Sequence, residues 1–308
     1  MVLLYVALFA GQFDATFREG LIALNSNNLV AAESKLEACT QLEPHNSRVW
    51  LALAQTYWKQ HKALDAEKAA QSAETWAAGD AVTSNLLATF YTEDYYFQVA
   101  QSHLERQDFA GALETLAAGR KKFVASVQLE LAAGVAYYGL RRFPEAIDAF
   151  LRTVELDRSI EQPYVFLGRM LDQAEARLPA ITRVFAAFAD RAPENYRSSF
   201  LYGKALALGD NPARAEALLR KSIAQNEGYW ESHFELGLLL DRQRQYEPAA
   251  GEIHRAAELN PRDPVPHYHL ARLYDRLGKS REAAAEREVH ARLSAAAAPA
   301  GYGMPGIK

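Results

Sequence analysis

The chain has 308 residues, 49% of them apolar, with 34 Lys and Arg against 38 Asp and Glu for a net charge of −4. That balance, with a pI near 6.1, excludes the basic face of a nucleic-acid-binding domain. A single Cys excludes an internal disulfide framework and a Cys-rich zinc site, and 17 Gly with 12 Pro exclude a collagen-like or long disordered chain.

The first segment, residues 1–11, reads MVLLYVALFAG and has no Lys or Arg before its apolar run. It is far shorter than the roughly 20 apolar residues that span a bilayer. Two readings stand for residues 1–12: an apolar cap on the first repeat, or a signal peptide. Leu8 argues against cleavage after Ala10, because that position prefers a small residue. If the segment is a signal, the mature chain starts near Gly11 or Gln12 and is periplasmic or secreted; otherwise it is cytoplasmic.

From Phe13 the chain shows a period of 34 residues. It is clearest in LELAAGVAYYGLRRFPEAIDAFLRTVEL from Leu129 and HFELGLLLDRQRQYEPAAGEIHRAAELNP from His233. Each has a small residue, an aromatic or Leu three later, a polar turn, then Ala and a large apolar residue four beyond it. Gly134, Tyr137, Ala146 and Phe150 fill these places in one copy; Gly237, Leu240, Ala249 and Ile253 fill them in the other. The small residue and the Ala are expected to face each other, with the large residue filling space between hairpins. In chain order the period predicts eight helical hairpins over 13–296, beginning near Phe13, Ser47, Glu93, Val127, Glu161, Tyr196, Trp230 and Pro264.

Three places depart from the pattern. Between the second and third copies the step is 46 residues, and the surplus is 81–92, AVTSNLLATFYT. Leu86, Leu87, Phe90 and Tyr91 exclude a solvated linker there. They leave an extra turn packed on the outer face, a loop that reaches the binding groove, or a lengthened second helix. In the fifth copy Leu178-Pro179 suits a helix start, and counting from Gly168 assigns Ala180, Val184 and Ala187 to the packed face. In the last copy Arg287 and His290 replace apolar residues, as a terminal capping repeat requires. Residues 297–308 lose the period and are expected to form a flexible tail.

Trp50, Leu53, Ala54 and Tyr57 in the second copy, with Pro44 and Pro261 between copies, complete a pattern that resembles the tetratricopeptide repeat family. The resemblance covers residues 13–296. It implies an all-α, right-handed superhelical solenoid of about sixteen antiparallel helices, stacked because one hairpin cannot bury its own apolar face. It also implies a concave groove lined by first helices.

At the family's groove positions the earlier copies place Trp58, Phe97 and Tyr138, and the later ones Arg169, Lys204, Phe234 and Arg272. Aromatics in such a groove suit an extended peptide or a partner helix, with the charges giving orientation. The clamp lysine of the family's chaperone-binding members is replaced by an apolar residue in every copy, which excludes a receptor for Hsp70 or Hsp90 tails. The resemblance therefore implies a non-catalytic scaffold or adaptor for a peptide segment or protein partner. The alternatives are a structural self-associating repeat protein and an accessory subunit of a helical-repeat enzyme. No nucleic-acid partner and no membrane-spanning segment in the mature chain are expected, and the oligomeric state stays open.

No P-loop, dinucleotide fingerprint, HExxH or nucleophile elbow occurs, so no cofactor is expected. His267-Tyr268-His269 is the best metal-like cluster, but residues two apart on a helix diverge. His233 and His267, in equivalent places, are expected to pack with a satisfied ring nitrogen. Cys39 is expected to be a buried structural thiol.

Overall fold

The computed structural model describes residues 2–209 and 211–296, with side chains from Gly11 onward. The expected tail at 297–308 lies outside the described residues. These are all-α: no strand occurs among them, and the helices group into two compact units, residues 1–157 and 158–308. No helix among them is long and apolar enough to cross a membrane.

The first unit contains α1 (Val2–Asn25), α2 (Leu29–Leu42), α3 (Ser47–Lys59), α4 (Ala63–Trp76), α5 (Ala81–Phe90), α6 (Glu93–Glu105), α7 (Phe109–Lys122), α8 (Val127–Gly139) and α9 (Phe143–Leu156). The second contains α10 (Gln162–Arg169), two 3-10 turns at Leu171–Gln173 and Glu175–Arg177, α11 (Leu178–Arg191) and α12 (Tyr196–Ala207). It continues through α13 (Pro212–Gln225), α14 (Trp230–Arg242), α15 (Tyr246–Leu259), α16 (Pro264–Arg276) and α17 (Ser280–Ala296).

Local chemistry sets these boundaries. Six hairpins open at the predicted Ser47, Glu93, Val127, Tyr196, Trp230 and Pro264, and α10 opens one residue after Glu161. The first hairpin differs, because α1 runs unbroken through Phe13. Asn46, Thr92, Ser126, Asn195 and Asp263 each accept a hydrogen bond from a first-turn amide that the helix itself leaves unpaired. Inside the hairpins the chain reverses through a left-handed residue. Asn27, His61, Gln107, Arg141 and Arg244 have φ between 59° and 62°, and Gly278 has φ 73°. Such a residue ends the first helix and turns the chain back at once.

The packing inside a hairpin refines the sequence reading. The large apolar residue of the second helix lies over the small residue of its own first helix. A Cβ on Gly237 would stand 2.3 Å from the Ile253 side chain, and one on Gly20 would stand 2.9 Å from Leu36. The Ala of the motif contributes its backbone, with the Ala249 carbonyl 3.1 Å from the same point on Gly237.

The fifth copy corrects the register. Its packed residues are Ile181, Phe185 and Phe188, whereas Ala180 and Val184 are half-buried and Ala187 is exposed. The two 3-10 turns replace the usual tight reversal and hold one extra residue between Gly168 and α11. A fixed count from Gly168 therefore lands one residue short. Pro179 does sit in the first turn of α11, where no amide is needed.

Residues 81–92 are neither a loop nor a longer α4. Ala77–Asp80 breaks the chain, and α5 is a separate helix packed on α3 and α4. Leu87 is buried in the cluster that holds Leu53, Ala54 and Ala73, and Thr83 is fully buried. Both ends of α5 are held by neighbours. Asp80 caps its start, accepting from the Val82 and Thr83 amides, Thr83 Oγ1 and Arg48 Nε. Lys122 Nζ, at the end of α7, donates to the carbonyls of Ala88 and Tyr91 at 2.8 and 2.7 Å.

At the other end of the chain α17 buries Ala283 and exposes Arg287, which pairs with Asp275. That polar outer face is what a terminal hairpin needs. Cys39 is fully buried beside Phe13 and Val49, and burial pushes its thiol pKa up.

Candidate functional site

The residues expected at groove positions lie on first helices of both units. In the first unit Trp58 is half-buried, its ring 5.4 Å from that of Tyr95 and 6.3 Å from that of Phe90. It belongs to an aromatic cluster completed by Tyr91 and Tyr96. Phe97 is half-buried against Ala100, Ala132 and their neighbours. Tyr138 is half-buried and meets the Phe143 ring edge-on at 6.0 Å. Leu51, Leu131 and Val135, on the same helix faces, are buried core.

In the second unit the charged positions divide. Lys204 Nζ bonds Glu235 Oε1 at 2.8 Å, with both side chains largely covered. Asp241 pairs with Arg276. Arg169 and Arg272 are exposed and have no carboxylate partner among the described residues. Arg169 closes α10 near Tyr229 and Glu231. Burial raises the Glu231 carboxyl, and Lys204 and Arg169 pull it back toward the charged form.

A row of rings crosses α14 and α16. Trp230 and Phe234 stand 6.1 Å apart, and His269 meets Phe234 edge-on at 5.4 Å and Tyr268 at 5.3 Å. His290 of α17 lies 5.7 Å beyond Tyr268. Tyr268 is 47% exposed, and the Arg272 guanidinium sits 5.7 Å from its ring centroid. Burial lowers the His269 pKa, and Arg272 adds to the shift, so this imidazole is neutral at pH 7. The row is a ledge with an apolar face and one cation at its rim.

His233 and His267 do not meet each other's rings. Each turns Nδ1 to a glutamate of its own second helix, Glu252 at 2.8 Å and Glu286 at 2.6 Å. Sequence reasoning names Phe234 and Arg272 and weighs His269 only within a metal-like cluster, not as the link between the Phe234 and Tyr268 rings. The signal lies in the period: Tyr268 is 34 residues after Phe234, in the equivalent place, and His269 follows it directly.

The tetratricopeptide repeat model matches residues 98–159, 171–229 and 206–264. No curated protein matches the chain. Among solved structures, PilW, described as a widely conserved type IV pilus biogenesis factor, superposes with a TM-score of 0.53 at 19% identity, over 66% of this chain and 92% of its own. YrrB, described as a tetratricopeptide repeat protein with an unusual peptide-binding site, gives a TM-score of 0.47 at 16% identity, over 59% of this chain and 93% of its own. MamA from Desulfovibrio magneticus gives 0.40 at 17%, over 67% and 97%. At such identities the likeness concerns the fold alone.

Proposed function

We propose, since the chain belongs to the tetratricopeptide repeat family, that it is a non-catalytic scaffold holding a peptide segment or protein partner against its first helices. The family's fold serves protein interaction in general; the face used is the finer point. The ring ledge of Phe234, His269 and Tyr268 carries this reading. Phe234 and Tyr268 repeat one position in consecutive first helices, and Tyr268 leaves about half of its surface exposed although a ring of that size is normally covered. Arg272 and Arg169 supply unspent charge for register, while Lys204 acts through Glu235. Trp58, Phe97 and Tyr138 offer half-buried ring edges on the first unit.

Native affinity capture with mass spectrometry identifies the partner, and hydrogen exchange on the complex locates it. Protection is expected on α14 and α16. Tyr268→Ala should weaken binding by about tenfold or more and Arg272→Ala by less, both with unchanged circular dichroism. Protection confined to second helices or to 81–96 would remove the first-helix reading. N-terminal sequencing of the purified native protein tests the compartment: a mature start near Gly11 or Gln12 would support export from the cytoplasm.

A further inference from the structure

A second surface, on the first unit, has a different chemistry. Between α4 and α7 lies a cleft of about 530 Å³ walled by Glu67, Glu74, Glu114, Tyr91, Tyr95 and Tyr96. No Lys, Arg or His lines it. Glu67 is spent, accepting from Thr115 Oγ1 at 2.6 Å and bonding His103 Nε2 at 2.8 Å. Glu74 accepts from the Tyr91 hydroxyl at 3.2 Å through one oxygen and keeps the other free among the described residues. Glu114 is exposed and has no partner among them.

The second observation is Tyr95. The residue is only 3% exposed, yet its hydroxyl makes no hydrogen bond among the described residues. Its ring is covered while the oxygen itself stays accessible from the cleft, so only water or a ligand can bond it there. Burial first, then Tyr91 and Glu67, push its ionisation well above the ordinary phenol range, so the hydroxyl that lines the cleft beside the glutamates is neutral. Tyr91 and Tyr96 stack at 5.8 Å and 25°, giving flat apolar area beside the carboxylates. The acids are not gathered as metal ligands are: no group of three His, Cys, Asp or Glu among the described residues could hold a metal ion.

We propose that this cleft binds an arginine side chain presented by a partner peptide. The guanidinium is planar, stacks on aromatic faces and offers several donors in a fixed fork. Glu74 and Glu114 supply charge, the Tyr95 oxygen accepts one donor, and the Tyr91 and Tyr96 rings cover the stem. The surface is independent of the first-helix ledge, so either reading can fail alone.

Calorimetric titration of the full chain with a glycine-serine octapeptide carrying two arginines tests this, against the same peptide with citrulline. The arginine peptide should bind at least about tenfold more tightly. Glu74→Gln with Glu114→Gln should weaken it about tenfold. Glu247→Gln with Glu282→Gln, the same charge change at exposed sites elsewhere, should leave affinity within about twofold. Glu114→Gln alone, at an exposed position that folding does not need, should still cost about threefold. Equal binding of the citrulline peptide, no binding of either, no loss in Glu114→Gln, or an equal loss in the control variant overturns the proposal.

Discussion

The Phe150 ring lies so close over Gly134 that a Cβ on that residue would stand 2.6 Å from the ring's Cε1. α8 and α9 meet there with backbone against ring, and the contact explains why a helix interior tolerates glycine. Gly134→Leu should therefore destabilise the first unit by about 1–3 kcal/mol or more, as overpacking does. Gly134→Ala should also destabilise, against its helix propensity. Gly251, exposed in α15 with nothing within 4 Å of its missing Cβ, is the control. Gly251→Ala should stabilise by about 0.5–1 kcal/mol. Urea midpoints read both, and a stabilised Gly134→Ala would refute the contact.

The hairpin turns make an opposite prediction. Arg141 holds φ 59° while its side chain is exposed and its amide bonds the Tyr138 carbonyl at 3.0 Å. Arg141→Gly keeps that bond and relieves the left-handed strain of about 1–2 kcal/mol, offset by glycine's larger unfolded entropy. A net gain of about 0.5–1 kcal/mol is expected in thermal or denaturant unfolding. Gly278→Ala, at φ 73° in the equivalent turn, should lose about 1 kcal/mol. Equal effects of the two changes would show that the turns do not set the reversal.

His269 predicts a pH slope. Its folded pKa lies below the ordinary imidazole value, so between the two values the unfolded chain binds the extra proton. Stability is then full above about pH 6.5 and falls as pH drops toward the folded value. His269→Gln should flatten this part of the profile relative to the parent. Melting temperatures of both proteins from pH 5 to 8 give the difference, and parallel curves would mean that the imidazole carries no such linkage.

Asp80 works at a lower pH. Its hydrogen bonds, first from Thr83 and then from Arg48, hold the carboxyl far below the ordinary range. The stability it contributes is present above its unfolded pKa of about 4 and is lost as pH falls through the folded value. The difference in melting between the parent and Asp80→Ala should be constant from pH 5 to 8 and shrink below pH 4. A difference that grows on acidification would reverse the sign and remove the assignment.

The 34-residue period alone makes most of the fold legible in the sequence. Ser47, Glu93, Val127 and Trp230 open helices where the count puts them, because each is preceded by a capping or turn residue and followed by an apolar stripe. The count fails where the backbone changes type. Nothing in a 34-residue comb announces the 3-10 turns before Leu178, so a fixed count lands on Ala180 in place of Ile181. The acidic cleft was hidden for another reason. Glu67, Tyr95 and Glu114 belong to three helices, and only the packing around α5 and α6 brings them to one wall. The insertion was visible as an excess of residues, with TFYTEDYY at its end, but the side to which its tyrosines turned was not.

Repeat proteins are often regarded as modular, with whole repeats exchangeable because each touches only its neighbours. The anchoring of α5 moves the module boundary in this chain. Cutting after residue 80 would restore a 34-residue period on paper, yet it would take from Asp80 its Val82 and Thr83 donors and from the Lys122 ammonium the two carbonyls it holds at the far end of α5. The unit that can be transplanted or shuffled is 47–92, a three-helix piece, and it must travel with a basic residue at the end of the hairpin that follows.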